Sequence, residues 1–304
     1  MAKSTLRSYL DSIEEWLGTL RRAEDVPAPA SPKQELANRT QTIAGAYDAL
    51  RTELKRTIIE VYGRVDAGLA VSLYRPLLLE FWPEHSLGRT LPVFTTNYDT
   101  AIETLADEAG QEIDFVDGFR HRPMGLRWEA TEYHEYVTRR RKGIDLILFK
   151  LHGSSNWYRM PGAGSIQKMD NFELDPGKLQ NIMIFPTQRK SNLLGDEPFQ
   201  TNYRYFSELM KRLEVLITNG FSFRDSEIRD MIWQALLERP GFQLIVIDPA
   251  FGRDDLLRRL SGDENPASIQ GELVPVSRAF GGEGGWSMIA SPLGKALASL
   301  HAKT

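Results

Sequence analysis

Four short segments hold the residue types from which a binding or reacting site could be built. Thr95-Thr96-Asn97-Tyr98-Asp99 offers an amide and a carboxylate, and Lys150-Leu151-His152-Gly153-Ser154 offers an imidazole beside a glycine. Asn219-Gly220-Phe221-Ser222-Phe223-Arg224-Asp225 and Asp248-Pro249 add glycine, hydroxyl and carboxylate. A histidine titrates near neutrality and can take a proton from a hydroxyl or from water. An amide places water without being charged, and a carboxylate accepts a bond from an amide N–H₂. Gly220 and Ser222 could hold a ribose or phosphate through backbone N–H and hydroxyl groups, and Arg224 could reach a phosphate. Each segment also has a purely structural reading. Asp99 could cap a helix beginning at Thr100, and Asn97 could occupy a left-handed turn. His152 could be a core histidine at a tight turn. Ser222 could cap a turn, Asp225 the helix that opens at Ser226, and Asp248 a helix with Pro249 in its first position.

The elements that carry these segments follow from hydrophobic periodicity. Leu6, Tyr9, Leu10, Ile13, Trp16, Leu17 and Leu20 mark one helix face. A Pro/Ala/Ser stretch from Val26 to Pro32 reads as a loop. Helices are predicted from about Lys33 to Tyr62 and from Val65 to Phe81, giving a helical lobe over 1–89. From Leu91 the texture changes. Short apolar runs at Leu91–Thr95, Leu146–Leu151, Asn181–Phe185, Glu214–Thr218 and Leu244–Ile247 have the length of buried strands. Amphipathic helices are predicted near Thr100–Ala109, Tyr203–Leu213, Ser226–Glu238 and Asp254–Leu260. Strands alternating with helices predict an α/β fold, with one parallel, Rossmann-like sheet from about Leu91 to Val276, covered on both faces, in a domain over 90–304. In such sheets ligands bind at the carboxyl ends of the strands, where all four segments lie.

Composition narrows the function classes. The 304 residues are 41% hydrophobic and 26% charged, with a formal net charge of −4. That balance gives no overall attraction to nucleic acid or anionic lipid. Cysteine is absent, which removes disulfides, a thiolate nucleophile, a cysteine zinc site and an iron–sulfur cluster. No apolar run reaches membrane-spanning length, and the expected location is the cytoplasm. Other features read as structure. Arg139-Arg140-Arg141-Lys142 is expected to be a solvated surface, His121 a surface loop between Arg120 and Arg122, and Gly281–Gly285 a loop. Glu132, His134 and Glu135 lack the spacing of a metal site, and no metal is expected. Asn156-Trp157-Tyr158 could line a pocket for a flat ligand or pack in the core.

The order Asn97-Tyr98-Asp99, then Lys150-Leu151-His152-Gly153-Ser154, then Gly220-Phe221-Ser222-Phe223-Arg224-Asp225 resembles the sirtuin-like NAD-consuming family. The resemblance is strongest to its zinc-free bacterial branch, which includes anti-phage defence proteins. It implies that NAD is the substrate. Asn97 would lie beside the nicotinamide ribose and place the attacking water. Asp99 would hold the carboxamide, with Thr96 beside it in the cofactor-binding set. His152 would contact the ribose hydroxyls. Gly220 and Ser222 would contact the phosphates and the adenine-side ribose, and Asp248 a ribose. Breaking the nicotinamide–ribose bond passes through an oxocarbenium-like state, and the leaving group is a neutral pyridine that needs no general acid.

The resemblance therefore implies an NAD⁺ glycohydrolase that yields nicotinamide and ADP-ribose, acting in defence by NAD depletion. A homo-oligomer or a defence-system partner is expected to restrain it. The missing cysteines point away from protein deacylation, the third reading. Ala44-Gly45-Ala46 lies within a helical run, so it is not the glycine loop that opens the family's fold. That departure favours a second reading, a module that binds NAD or ADP-ribose without turnover.

Overall fold

Leu146, Ile147, Leu148 and Phe149 form an unbroken apolar run, and the strand that carries them is buried on both faces. Leu146 and Leu148 enter one core cluster, Ile147 and Phe149 another, as side chains alternating across a strand require. This strand, β5 (Ile144–Lys150), lies between β1 (Thr90–Thr95) and β2 (Ile113–Val116) in a three-stranded parallel sheet. A computed structural model describes residues 32–82, 90–123, 125–138, 144–162, 164–169, 180–184, 195–262, 269–277 and 287–301. The segments Leu6–Leu20, Arg139–Lys142 and Gly281–Gly285 lie outside the described residues.

A second parallel sheet has the order β11-β10-β9, with β9 at Val215–Asn219, β10 at Gln243–Ile247 and β11 at Glu272–Val276. Every residue of β10 is buried. Leu244 and Val246 pack under α6 (Ser226–Glu238) and α7 (Arg253–Ser261). Ile245 and Ile247 face α8 (Ser287–His301) through Ile289, Leu293 and Leu297. Helices on both faces explain why the strand needs no polar side.

The third sheet is antiparallel, in the order β3-β4-β7-β6-β8. Its strands are β3 (Phe119–Arg122), β4 (Gly125–Trp128), β6 (Gly153–Arg159), β7 (Ile166–Lys168) and β8 (Gln180–Met183). The structure shows the expected α/β fold, with parallel strands flanked by helices and a helical N-terminal region; among the described residues the parallel strands form two ladders of three rather than one, and five further strands pair in an antiparallel sheet. The apolar run at Asn181 is a strand, but in the antiparallel sheet, because a run of that kind carries no information about its partner. His121 lies in β3, not in a loop. Trp157 is buried among Phe119, Trp128 and Phe149, so it packs the core.

Among the described residues no ladder joins the two parallel sheets; side chains do. Phe94 of β1 stacks on Phe149 at 4.7 Å and meets Phe206 edge-on at 5.0 Å. It also lies against the cluster that includes Leu216 of β9. Phe206 comes from α5 (Phe199–Met210), whose buried Phe199, Tyr203, Phe206 and Met210 recur at helical spacing. On the opposite face Leu77 touches the clusters of both sheets. It sits in the π-helical turn Pro76–Phe81 that extends α2 (Ala67–Arg75), a helix capped by Asp66, whose carboxylate accepts the Leu69 N–H at 2.7 Å. The long helix α1 (Pro32–Tyr62) is mostly exposed and contains Ala44-Gly45-Ala46. Near its end Leu54, Ile58 and Ile59 pack against Met183 and Tyr98.

Candidate functional site

β1 and β5 end side by side, Thr95 opposite Lys150, so the segments that follow them leave the sheet together. The Leu151 N–H donates to the Thr95 carbonyl at 2.8 Å, which fixes His152 beside Thr96 and Asn97. The next turn is pinned from several sides. Asn97 N–H donates to Thr95 Oγ1 at 3.0 Å. The Tyr98 carbonyl accepts from Ser155 N–H at 2.9 Å and from Ser154 Oγ at 3.3 Å. The Tyr98 hydroxyl donates to the Ile184 carbonyl at 2.5 Å, and the Ile184 N–H returns to the His152 carbonyl at 2.9 Å. Burial first, and Tyr62 second, push the Tyr98 hydroxyl up to about 12. Unfolded tyrosine ionises near the ordinary value of 10.0, so above that pH the unfolded chain releases a proton that the folded chain keeps. Stability is expected to fall as pH rises from about 10 to about 12, and Tyr98→Phe is expected to flatten that fall in urea titrations.

Lys150 is the buried anchor of this turn. Its ammonium donates to the Asp99 carbonyl and to Glu103 Oε1, the latter at 3.0 Å, with the two side chains 1% and 7% exposed. Glu103 belongs to α3 (Ala101–Ala109), so one ammonium ties β5 to the turn and to the helix after it. Asp99 accepts the Ala101 N–H at 3.0 Å through Oδ1, closing a turn, while Thr100 is the N-cap of α3, so the expectation that Asp99 caps the helix is corrected. Asn97 does not take a left-handed backbone; Phe223 is the sole non-glycine residue with positive φ among those described. Asn97 is exposed, and among the described residues its side-chain amide has no protein partner.

Gly153 is the residue that lets His152 turn into β6. Its φ is +81°, and a Cβ there would stand 2.1 Å from the Ile182 carbonyl oxygen. Backbone strain of about 1–3 kcal/mol and a clash with a fixed carbonyl act together. Gly153→Ala is expected to destabilise by at least about 3 kcal/mol, measured by urea unfolding. Gly220 also has positive φ, +62°, but nothing lies within 4 Å of its would-be Cβ. Gly220→Ala is therefore expected to cost less, about 1–2 kcal/mol.

The second group leaves the other parallel sheet. Asn219 lies opposite Ile247, so Gly220 and Asp248 start from neighbouring strand ends, with Gly220 N–H 3.3 Å from the Ile247 carbonyl. Gly220 and Ser222 are exposed, and the Ser222 hydroxyl has no protein partner among the described residues. Asp248 Oδ1 accepts from Ala250 N–H at 2.8 Å, closing a turn. The helix that follows starts at Arg253 with Gly252 as its N-cap, so the expectation that Asp248 caps it is corrected. Asp225 does cap α6, as expected, with Oδ1 3.4 Å from the Ile228 N–H.

The sequence did not reveal what joins the groups. Asp225 Oδ2 lies 2.6 Å from His152 Nε2, across 73 residues. The structure thus brings Thr96, Asn97, Asp99 and His152 together at one sheet. Gly220, Ser222 and Asp248 gather at the other, and the histidine–aspartate pair links the two groups. Glu132 is bound by Arg120 at 2.9 Å, and no group of three or more possible metal ligands occurs among the described residues. No helix of the described residues is long and apolar enough to cross a membrane.

Comparison with curated protein sequences gives no match. The family model for the SIR2-like domain matches residues 92–263, which begins in β1, ends just beyond α7 and contains every candidate residue named above. That span exceeds half of the 304 residues, and the chain belongs to the SIR2-like family.

Proposed function

We propose that the chain is an NAD⁺ glycohydrolase that cleaves the bond between nicotinamide and ribose. The family is generally one of NAD-dependent enzymes, which supports NAD as the substrate. The observation that carries the reading is the pairing of an exposed, unpartnered Asn97 amide with a His152 ring held at 2.6 Å by Asp225, both at the carboxyl ends of adjacent parallel strands. The residues fit the ligand in kind. Asn97 and Ser222 offer unpartnered polar groups, and the open space above Gly220 lets a phosphate approach the backbone.

In the proposed reaction a water held by Asn97 attacks the anomeric carbon from the face opposite the nicotinamide. The carbon–nitrogen bond breaks, its electron pair leaves on the pyridine nitrogen, and the water proton passes through His152 to solvent. The products are nicotinamide, ADP-ribose and one proton. Asp99 holds the carboxamide, while Thr96, Gly220, Ser222 and Asp248 bind the rest of the dinucleotide. NAD depletion in anti-phage defence, restrained by a partner or a homo-oligomer, is the biological setting that the resemblance suggests.

One observation favours a second reading, an NAD- or ADP-ribose-binding module without turnover. Ala44-Gly45-Ala46 lies in the middle of α1 and so provides no glycine turn for a pyrophosphate. Incubating the protein with NAD⁺, with and without an acetyl-lysine peptide, separates the possibilities. The glycohydrolase yields nicotinamide and ADP-ribose in both tubes. Calorimetric binding of NAD⁺ without product supports the module, and nicotinamide only in the presence of peptide would indicate deacylation.

A further inference from the structure

We infer that Asp225 is a positioning residue for His152, holding its ring in the tautomer that the cleavage needs; the functional part of this inference rests on the glycohydrolase reading. Asp225 has an ordinary structural duty, since it caps α6, but its geometry favours the other bond. Its contact with the Ile228 N–H is 3.4 Å, at the limit of a hydrogen bond. Its contact with His152 Nε2 is 2.6 Å. The aspartate that only caps, Asp66 on α2, sits 2.7 Å from its N–H. Asp225 thus gives up good capping geometry to reach the histidine.

The turn before it is built to make that reach possible. Phe223 has φ +57°, a conformation that costs a non-glycine residue about 1–2 kcal/mol. Its ring offsets that cost: it is 2% exposed and packs edge-on against Phe221 at 5.0 Å. The Asp225 side chain is itself 5% exposed, so its carboxylate requires a donor, and the His152 ring is one. Burial first and the nearby Asp225 carboxylate second push the Tyr203 hydroxyl up.

A carboxylate only accepts, so the shared proton belongs to Nε2 of His152. In the neutral ring Nδ1 is then the nitrogen that accepts rather than donates. Because Asp225 shares a turn with Gly220 and Ser222, the orientation of a histidine on one sheet is set by the phosphate-side turn of the other.

The experiment uses the whole chain, with Asp225→Ser and Asp225→Asn. Serine can still cap α6 but is too short to hold the imidazole. Asparagine keeps the shape, yet its N–H₂ can donate to Nε2 and so favour the opposite tautomer. For wild type, nitrogen NMR with ¹⁵N-labelled histidine should report the His152 proton on Nε2. Asp225→Ser should relax that preference to the moderate Nε2–H excess of free histidine and lower kcat for nicotinamide release by about 10–100-fold, with little change in KM for NAD⁺ or in the urea midpoint. Asp225→Asn should lower kcat at least as much. An unchanged tautomer and kcat in both variants would reduce Asp225 to a helix cap and overturn the inference. Should Asp225→Ser fail to fold, the wild-type tautomer and Asp225→Asn decide alone. If wild type releases no nicotinamide, the glycohydrolase reading fails. The tautomer spectra still decide whether Asp225 sets the ring.

Discussion

Lys150→Met is expected to lower the stability of the protein by about 3–5 kcal/mol. The ammonium is 1% exposed and lies against Glu103, itself 7% exposed, so removing it strands a carboxylate where water cannot reach. The Asp99 carbonyl loses its donor in the same step, and with it the turn that carries Asn97 loosens. Methionine has about the same length and packs without a void, so the loss reports the charge and not a cavity. Replacing both partners, Lys150→Met with Glu103→Leu, should recover much of the stability because no buried charge is left alone. Urea unfolding of the two variants checks this. A single variant as stable as wild type would show that Glu103 finds another partner or takes up a proton.

His152→Ala is expected to reduce nicotinamide release by about 10²–10⁴-fold, the range for loss of a group that moves a proton. Alanine also leaves the Asp225 carboxylate without its ring, so some loss of stability accompanies it. His152→Gln separates the two effects. Its side-chain N–H₂ can donate to Asp225 but provides no basic nitrogen, so the urea midpoint should stay near wild type while release stays low. Steady-state release assays beside unfolding curves give both numbers. Wild-type release by either variant would remove His152 from the reaction.

Of the strands described in the two parallel sheets, four are legible in the sequence, for a physical reason, while Ile113–Val116 and Glu272–Val276, short runs that each include an acidic residue, are not. Strands buried on both faces read as unbroken apolar runs, as at Leu146–Phe149 and Leu244–Ile247. Their polar carboxyl ends mark where a ligand could sit, and Asn97, Asp99 and His152 do share one such end. The antiparallel sheet is far less legible. Phe119-Arg120-His121-Arg122 and Gly153–Arg159 carry charged and polar residues: the end of the first strand is exposed, and the second buries Ser154, Asn156 and Tyr158 in side-chain hydrogen bonds. Asn181, for example, donates to the carbonyls of Ser154, Ser155 and Trp157. Such pairings depend on long-range contacts that no local pattern encodes.

The pair of His152 and Asp225 fails to appear in the sequence for the same reason. Asp225 reads locally as a helix cap, which it is, and nothing near it in the chain points to a histidine on another sheet. Asp248-Pro249 shows the reverse error: a good local cap pattern closes a turn, while the helix starts at Arg253.

Nicotinamide release from NAD⁺ by the purified chain, with no peptide present, decides whether the protein is a glycohydrolase. A glycohydrolase is expected to give multiple turnovers, equimolar ADP-ribose and near-complete loss in His152→Gln. Tight NAD⁺ binding without nicotinamide, or release that survives in His152→Gln, would contradict it.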